Sequence, residues 1–75
     1  MAKIEKVIQK MKNQPNGISL QEADRVLSAN GYRLDRQKGS HCQYINEFGD
    51  VLTIVNNNPL KKVYVVAILE RIGEK

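Results

Sequence analysis

One short segment, Lys38-Gly39-Ser40-His41, holds residue types that could act on a phosphodiester. Cleavage by a 2′-hydroxyl needs a group that takes the hydroxyl proton, a group that protonates the leaving 5′-oxygen, and cations that stabilise the charge on the phosphate oxygens. Histidine can exchange protons at neutral pH because its unperturbed pKa is about 6.5. The amides of Gly39 and Ser40 can donate to phosphate, and Arg36 and Lys38 supply positive charge.

A single histidine leaves this chemistry incomplete. His41 cannot act as acid and base at the same time. The second group would be Lys38, Ser40, Tyr44 or water, and the spacing does not choose among them. A lone histidine after a turn is more often an ordinary surface residue. Cys42 adjoins His41, but its expected inward orientation favours a buried, inert thiol over a nucleophile.

Composition limits what the rest of the chain can add. The chain has 75 residues and a formal net charge of +4, which predicts one domain over residues 1–75 with no room for a deep cofactor cleft. The basic balance favours a polyanion such as RNA, although it can equally serve solubility. One cysteine and one histidine exclude an internal disulfide and leave too few ligands for a zinc site.

The sequence contains no segment typical of a signal peptide or of a membrane-spanning helix. The N-terminus is polar and rich in lysine, unlike a signal peptide. No run approaches the roughly 20 apolar residues that span a bilayer. The expected location is the cytoplasm.

Six elements are predicted around the segment, in the order α-α-β-β-β-α. Two amphipathic helices come first, at about Ala2 to Asn13 and about Leu20 to Asn30. Three strands follow, at Tyr32 to Arg36, His41 to Asn46 and Val51 to Val55. A last helix ends near Gly73 and begins either at Pro59, with Asn58 as its N-cap, or nearer Lys62. The predicted fold class is α+β, a three-stranded antiparallel sheet with the helices on one face.

The second helix has the strongest local signals. Ser19 followed by Glu22 matches a capping box, and Ile18 can pack against Ala23 as a hydrophobic staple. Gly31 suits the left-handed residue that follows a last helical turn.

The alternation of side chains along a strand predicts which residues face the core. His41 and Gln43 are expected on the opposite, open face. Ile45 shares the parity of His41, which leaves that end of the strand unassigned. The side chains expected on the core face are Cys42, Tyr44, Leu52 and Ile54.

Two further groups could contact RNA. Lys61 and Lys62 fall near the start of the last helix, where positive charge opposes the helix dipole. Such a pair can mark a phosphate site, but it is more often solvated. Tyr32, Tyr44 and Tyr64 could stack on bases, yet so small a chain needs them in its core.

The run from Gly31 to His41, which reads G-Y-R-L-D-R-Q-K-G-S-H after a capped helix, resembles the HicA family of ribonuclease toxins. The resemblance continues through the strand Val51 to Val55 and the closing helix. It covers a core of about residues 19–72, while residues 1–18 look like an N-terminal helix and connection added to it.

The resemblance implies a fold like that of double-stranded-RNA-binding domains, mRNA cleavage, and a HicB-type antitoxin that covers the active face. The family's functional histidine falls on His41, and its preceding glycine and serine on Gly39 and Ser40. Many members carry a second histidine where this chain has Cys42. The segment before the last helix is also altered, and reads Asn58-Pro59-Leu60-Lys61-Lys62.

The leading hypothesis is therefore an endoribonuclease toxin that needs neither metal nor small-molecule cofactor, with His41 as general acid or base. The expected phosphate contacts are Arg36, Lys38, Gly39, Ser40, Lys61 and Lys62. Two other classes stay open, namely an RNA-binding module that does not cleave and an inactivated toxin that acts only through protein contacts.

Overall fold

Three helices and three strands form the computed structural model, which describes residues 4–73. In chain order they are α1 (Ile4–Asn13), α2 (Leu20–Ala29), β1 (Tyr32–Lys38), β2 (His41–Asn46), β3 (Val51–Val55) and α3 (Lys62–Arg71). The predicted order and the predicted α+β class are confirmed. The expected first residue of α1, Ala2, lies outside the described residues.

Two element boundaries differ from the prediction or decide between its alternatives. β1 continues two residues beyond the predicted end at Arg36. The last helix begins at Lys62, the later of the two starts considered. Leu60 is buried and its amide donates to the Ile18 carbonyl at 2.8 Å. This contact fixes the chain just before the helix, and Lys61 accordingly has extended backbone angles.

α1 and α2 are joined through one glutamate. Ser19 and Glu22 form the predicted capping box, because the Ser19 hydroxyl accepts from the Glu22 amide at 3.2 Å while Glu22 Oε1 accepts from the Ser19 amide at 3.0 Å. Glu22 Oε2 also accepts from Lys10 Nζ of α1 at 2.8 Å. The same carboxylate therefore caps α2 and holds α1 against it.

The strands form one antiparallel sheet in the order β1-β2-β3, and the helices cover one face of it. The core lies between the two layers, as expected for a small α+β domain. Tyr44 reaches across this core, and its hydroxyl donates to Asp24 Oδ1 of α2 at 2.8 Å. The buried side chains are Met11, Ile18, Ala23, Val26, Leu27, Tyr32, Cys42, Tyr44, Leu52, Ile54, Leu60, Val65, Ile68 and Leu69.

A cluster of hydrogen bonds around Asp50 lies at one end of the sheet. His41 lies at the other end, because it is the first residue of β2. Asp50 accepts a hydrogen bond from the Tyr32 hydroxyl and another from the Arg71 guanidinium at 2.7 Å. Arg71 also donates to the Val51 carbonyl at 3.2 Å. The hydrogen bond from Tyr32, and then the contact with Arg71, lower the pKa of Asp50 below its usual range. The β2–β3 turn is thereby tied to both β1 and α3.

The capping carboxylate should make stability depend on pH. The hydrogen bond from Lys10, and then the amide of Ser19, lower the pKa of Glu22 from its usual 4.5. A carboxyl whose pKa is lowered by folding stabilises the fold above its unfolded-state pKa and loses that contribution as the pH falls through its folded-state pKa. We expect Glu22→Gln to reduce the free energy of unfolding at pH 7 and to differ much less from wild type at pH 3, measured by urea denaturation.

Glu70→Gln provides the control, since Glu70 is an exposed glutamate in another helix. Its effect should be similar at both pH values. An identical pH dependence for the two variants would contradict the role given to the Glu22 charge.

Candidate functional site

The central strand β2 separates the core from the open face of the sheet. Cys42 and Tyr44 are only 1% and 2% exposed and face the helices. His41 is exposed and Gln43 is half-buried, and both lie on the opposite face. The predicted parity of β2 is therefore confirmed, and the imidazole of His41 is accessible from solvent.

An irregularity in β1 brings the cations to the same face. The pairing with β2 shifts between Leu34 and Arg36, so that Asp35 is the extra residue of a β-bulge. A bulge inserts one residue and so exchanges the two faces for the rest of the strand. Leu34 contributes to the groove beside α2. Beyond the bulge, Arg36 lies opposite Gln43 in the register.

Lys38 lies directly opposite His41, at the last pair before the turn. Arg36, Lys38 and His41 consequently line one open depression of about 500 Å³. Gln43 and Thr53 complete its lining. The structure thus brings together three of the residues that the sequence singled out, from two strands, around a concave surface.

The turn residues lie beside this depression. Gly39 has φ +60°, a left-handed conformation that glycine adopts without strain. A side chain at this position would point into open space, so the glycine is required by the backbone angle and not by close packing. The Ser40 carbonyl accepts from the Asn56 amide at 2.6 Å, which ties the turn to the end of β3.

The two lysines before α3 are placed differently. Lys61 and Lys62 are exposed at the N-terminal end of that helix. Neither of them lines the depression. They are not gathered with His41, although they remain exposed cations on the same small domain.

Cys42 and Tyr44 are buried on the helix side of the sheet and are not accessible from the open face. Desolvation, and then the charge of Asp24, raise the pKa of the Cys42 thiol. Desolvation and the hydrogen bond to Asp24 raise the pKa of Tyr44 well above its usual value. Both groups are on the helix side of the sheet, so Tyr44 no longer qualifies as a second proton-transfer group beside His41.

Two lining residues were not proposed as site residues from the sequence. The alternation along β2 predicts that Gln43 lies on the open face, but its residue type alone indicates no role. The same alternation predicts that Thr53 also lies on the open face, since it stands between the buried residues Leu52 and Ile54. Its position beside Gln43 depends on the register between β2 and β3, which pairs the two residues directly. Only the hairpin geometry brings Thr53 to the depression.

Away from His41, the open face combines two apolar side chains with an exposed arginine. Arg33, Ile45 and Val51 form a row across the three strands. Val51 is 46% exposed. Phe48, in the adjoining turn, is 85% exposed. The open face therefore carries two cations and a histidine at one end, and Ile45 and Val51 beside Arg33 at the other.

Neither a metal cluster nor a membrane-spanning helix is found in the part of the chain that the structure describes. No three His, Cys, Asp or Glu side chains of residues 4–73 are grouped so that they could hold a metal ion. Over the same residues, no helix has the length and apolar character needed to cross a bilayer.

Comparison with protein families gives one match. The family described as "HicA toxin of bacterial toxin-antitoxin" matches residues 20–74, which is more than half of the chain. The chain belongs to the HicA toxin family. The predicted family is therefore confirmed. Comparisons with the curated proteins and with the solved structures give no significant match.

The match to the HicA family includes α2, the whole sheet and α3. All five residues that line the depression lie within it. α1 precedes the matched region, yet its Met11 is fully buried in the common core. In this member of the HicA family, α1 is thus an integral part of the packed domain.

The buried position of Cys42 can be tested by thiol labelling. We expect the native HicA toxin to react with Ellman's reagent at least about 100-fold more slowly than the urea-unfolded chain, because a buried thiol reacts only after local opening. A Ser40→Cys/Cys42→Ala variant, with its single thiol in the exposed turn, should react rapidly while folded. Equal rates for native and unfolded wild type would show that Cys42 is accessible.

Proposed function

We propose that this HicA toxin is an endoribonuclease that cleaves mRNA and that His41 transfers protons in the reaction. The observation that carries the proposal is the depression in which an exposed imidazole lies beside two cations, Arg36 and Lys38. Family membership supports a toxin of a bacterial toxin–antitoxin system. The side chains of the depression offer the groups that 2′-hydroxyl attack requires, without a metal ion or an organic cofactor.

The depression suits a single phosphodiester on an open surface. Arg36 can hold two phosphate oxygens at once through its planar guanidinium group. The amide of Gln43 and the hydroxyl of Thr53 provide neutral hydrogen-bonding groups next to it. His41 would take the proton from the 2′-hydroxyl. A strand of RNA can reach all of these groups because the helices lie on the other face.

Neighbouring phosphates would be held outside the depression. The amides of Gly39 and Ser40 lie in the adjoining turn, where they can donate to a phosphate oxygen. Lys61 and Lys62 would contact phosphates farther along the strand, since they are exposed but do not line the depression. A fold like that of double-stranded-RNA-binding domains is part of the same proposal, supported by the α-β-β-β-α order from α2 to α3.

We further propose that a HicB-type antitoxin neutralises the toxin by covering this face. The row of Arg33, Ile45 and Val51 supports the proposal, since it offers apolar contact area next to positive charge. An antitoxin surface with apolar and acidic side chains would complement the row and the cationic end together. Both RNA and antitoxin would then compete for one surface.

The cleavage proposal is tested with purified toxin, a labelled mRNA fragment and EDTA. We expect wild type to cleave, and His41→Ala to cleave at least about 100-fold more slowly, because a positioned acid or base contributes roughly 10²- to 10⁴-fold. The variant should keep the thermal stability of wild type, since His41 is exposed. Equal cleavage by the two proteins would remove His41 from the reaction.

A pair of arginine variants serves as the matched comparison. Arg36→Ala should weaken both RNA binding and its salt dependence, because each lost phosphate contact reduces the salt slope by about 0.7 for single strands. Arg25→Ala removes an exposed arginine from α2, on the other side of the sheet, and should change neither. Binding without cleavage by wild type would instead favour the RNA-binding module.

The antitoxin proposal predicts that Val51→Gln weakens binding of the antitoxin by about 10-fold or more, equivalent to about 1.4 kcal/mol, because a polar group would replace a buried apolar contact. RNA cleavage by the free toxin should be unchanged. Val63→Gln alters a valine of α3 that is 64% exposed on the helix side and should not affect the antitoxin. Titration calorimetry measures both variants, and equal affinities would place the antitoxin elsewhere.

A further inference from the structure

The depression contains one residue suited to the second proton transfer. We propose that Lys38 protonates the leaving 5′-oxygen while His41 accepts the proton of the 2′-hydroxyl. This inference rests on the proposed endoribonuclease function and assigns the acid that the sequence left open among several groups.

The placement of the two side chains supports these roles. Lys38 and His41 are directly opposite each other in β1 and β2, and both line the depression. Directly opposite residues in an antiparallel sheet have Cβ atoms roughly 4.5–5.5 Å apart. In an in-line displacement the entering and leaving oxygens lie on opposite sides of phosphorus. A phosphate between the tips of the two side chains can therefore present one oxygen to each.

The chemistry of the other lining groups excludes them as the acid. Arg36 can stabilise charge, but its guanidinium group does not give up a proton in proteins. The amide of Gln43 and the hydroxyl of Thr53 carry no acidic proton near neutral pH. Tyr44 lies on the buried side with its hydroxyl bonded to Asp24. Of the five side chains that line the depression, only Lys38 and His41 can exchange protons with the substrate.

The direction of each proton transfer depends on which of the two side chains has a nitrogen lone pair that can accept a proton. An ammonium group has three donors and no acceptor, whereas neutral imidazole has one acceptor nitrogen. Lys38 therefore gives a proton and His41 takes one. The 2′-oxygen forms its bond to phosphorus as its proton moves to His41. The bond from phosphorus to the 5′-oxygen breaks as that oxygen receives a proton from Lys38. The products are a 2′,3′-cyclic phosphate and a 5′-hydroxyl, and both side chains are reset by exchange with water.

A substrate with sulfur in place of the bridging 5′-oxygen tests the assignment, because a thiolate leaves without being protonated. We expect Lys38→Met to cleave the ordinary linkage about 100-fold or more slowly than wild type. The same variant should cleave the 5′-thio linkage within a few-fold of wild type. Lys38→Arg, which keeps the charge and loses the acid, should behave like Lys38→Met on both substrates.

Two other variants mark the alternative outcomes. Arg36→Met should slow both linkages by similar factors, as expected for a group that only holds phosphate, and His41→Ala should also slow both. If Lys38→Met shows equal losses on the two linkages, or if Lys38→Arg retains activity on the ordinary linkage, Lys38 is a phosphate contact and the inference is wrong while the endoribonuclease stands. If wild type cleaves neither substrate, the proposed function itself is wrong.

Discussion

The β-bulge at Asp35 is the constraint on which the composition of the open face depends. Side chains of a strand alternate between faces, so one inserted residue reverses every later position. Before the bulge, Tyr32 is buried on the helix side. After it, Arg36 and Lys38 lie with His41 on the open side. A regular β1 would turn the two cations toward the helix layer, where burying unpaired charge is costly.

The helix side supplies the stability that the open face does not. The Tyr44 hydroxyl donates a hydrogen bond to Asp24. The Glu22 carboxylate pairs with Lys10 and so joins α1 to the start of α2. In residues 4–73 no buried side-chain nitrogen or oxygen lacks a hydrogen-bond partner. Residues of the open face, such as His41, contribute little buried area and can be selected for chemistry at small cost in stability. The side chains that stabilise the fold therefore lie on one face of the sheet, and the candidate site lies on the other.

Much of this arrangement follows from local sequence signals. The period of two in β2 correctly separates His41 from Cys42, and the capping box marks the start of α2, because both effects involve residues near each other in the chain. The bulge had no such signal, since nothing about Asp35 distinguishes it from a regular strand residue. The position of Thr53 depends on the pairing of β2 with β3, and the start of α3 on the buried contact of Leu60. These are long-range effects.

The small size of the domain also limits how its site can work and be controlled. His41 lies on the central strand and is paired in the register with β1 on one side and β3 on the other. Such a residue is held by the sheet, so on the proposed function the site is formed before RNA arrives and no loop has to close over it. A partner therefore has few conformational changes of the site that it could block in order to inhibit. Covering the open face is then the simplest way for an antitoxin to inhibit, and it requires that the partner match both the cations of the depression and the row of Arg33, Ile45 and Val51 beside them.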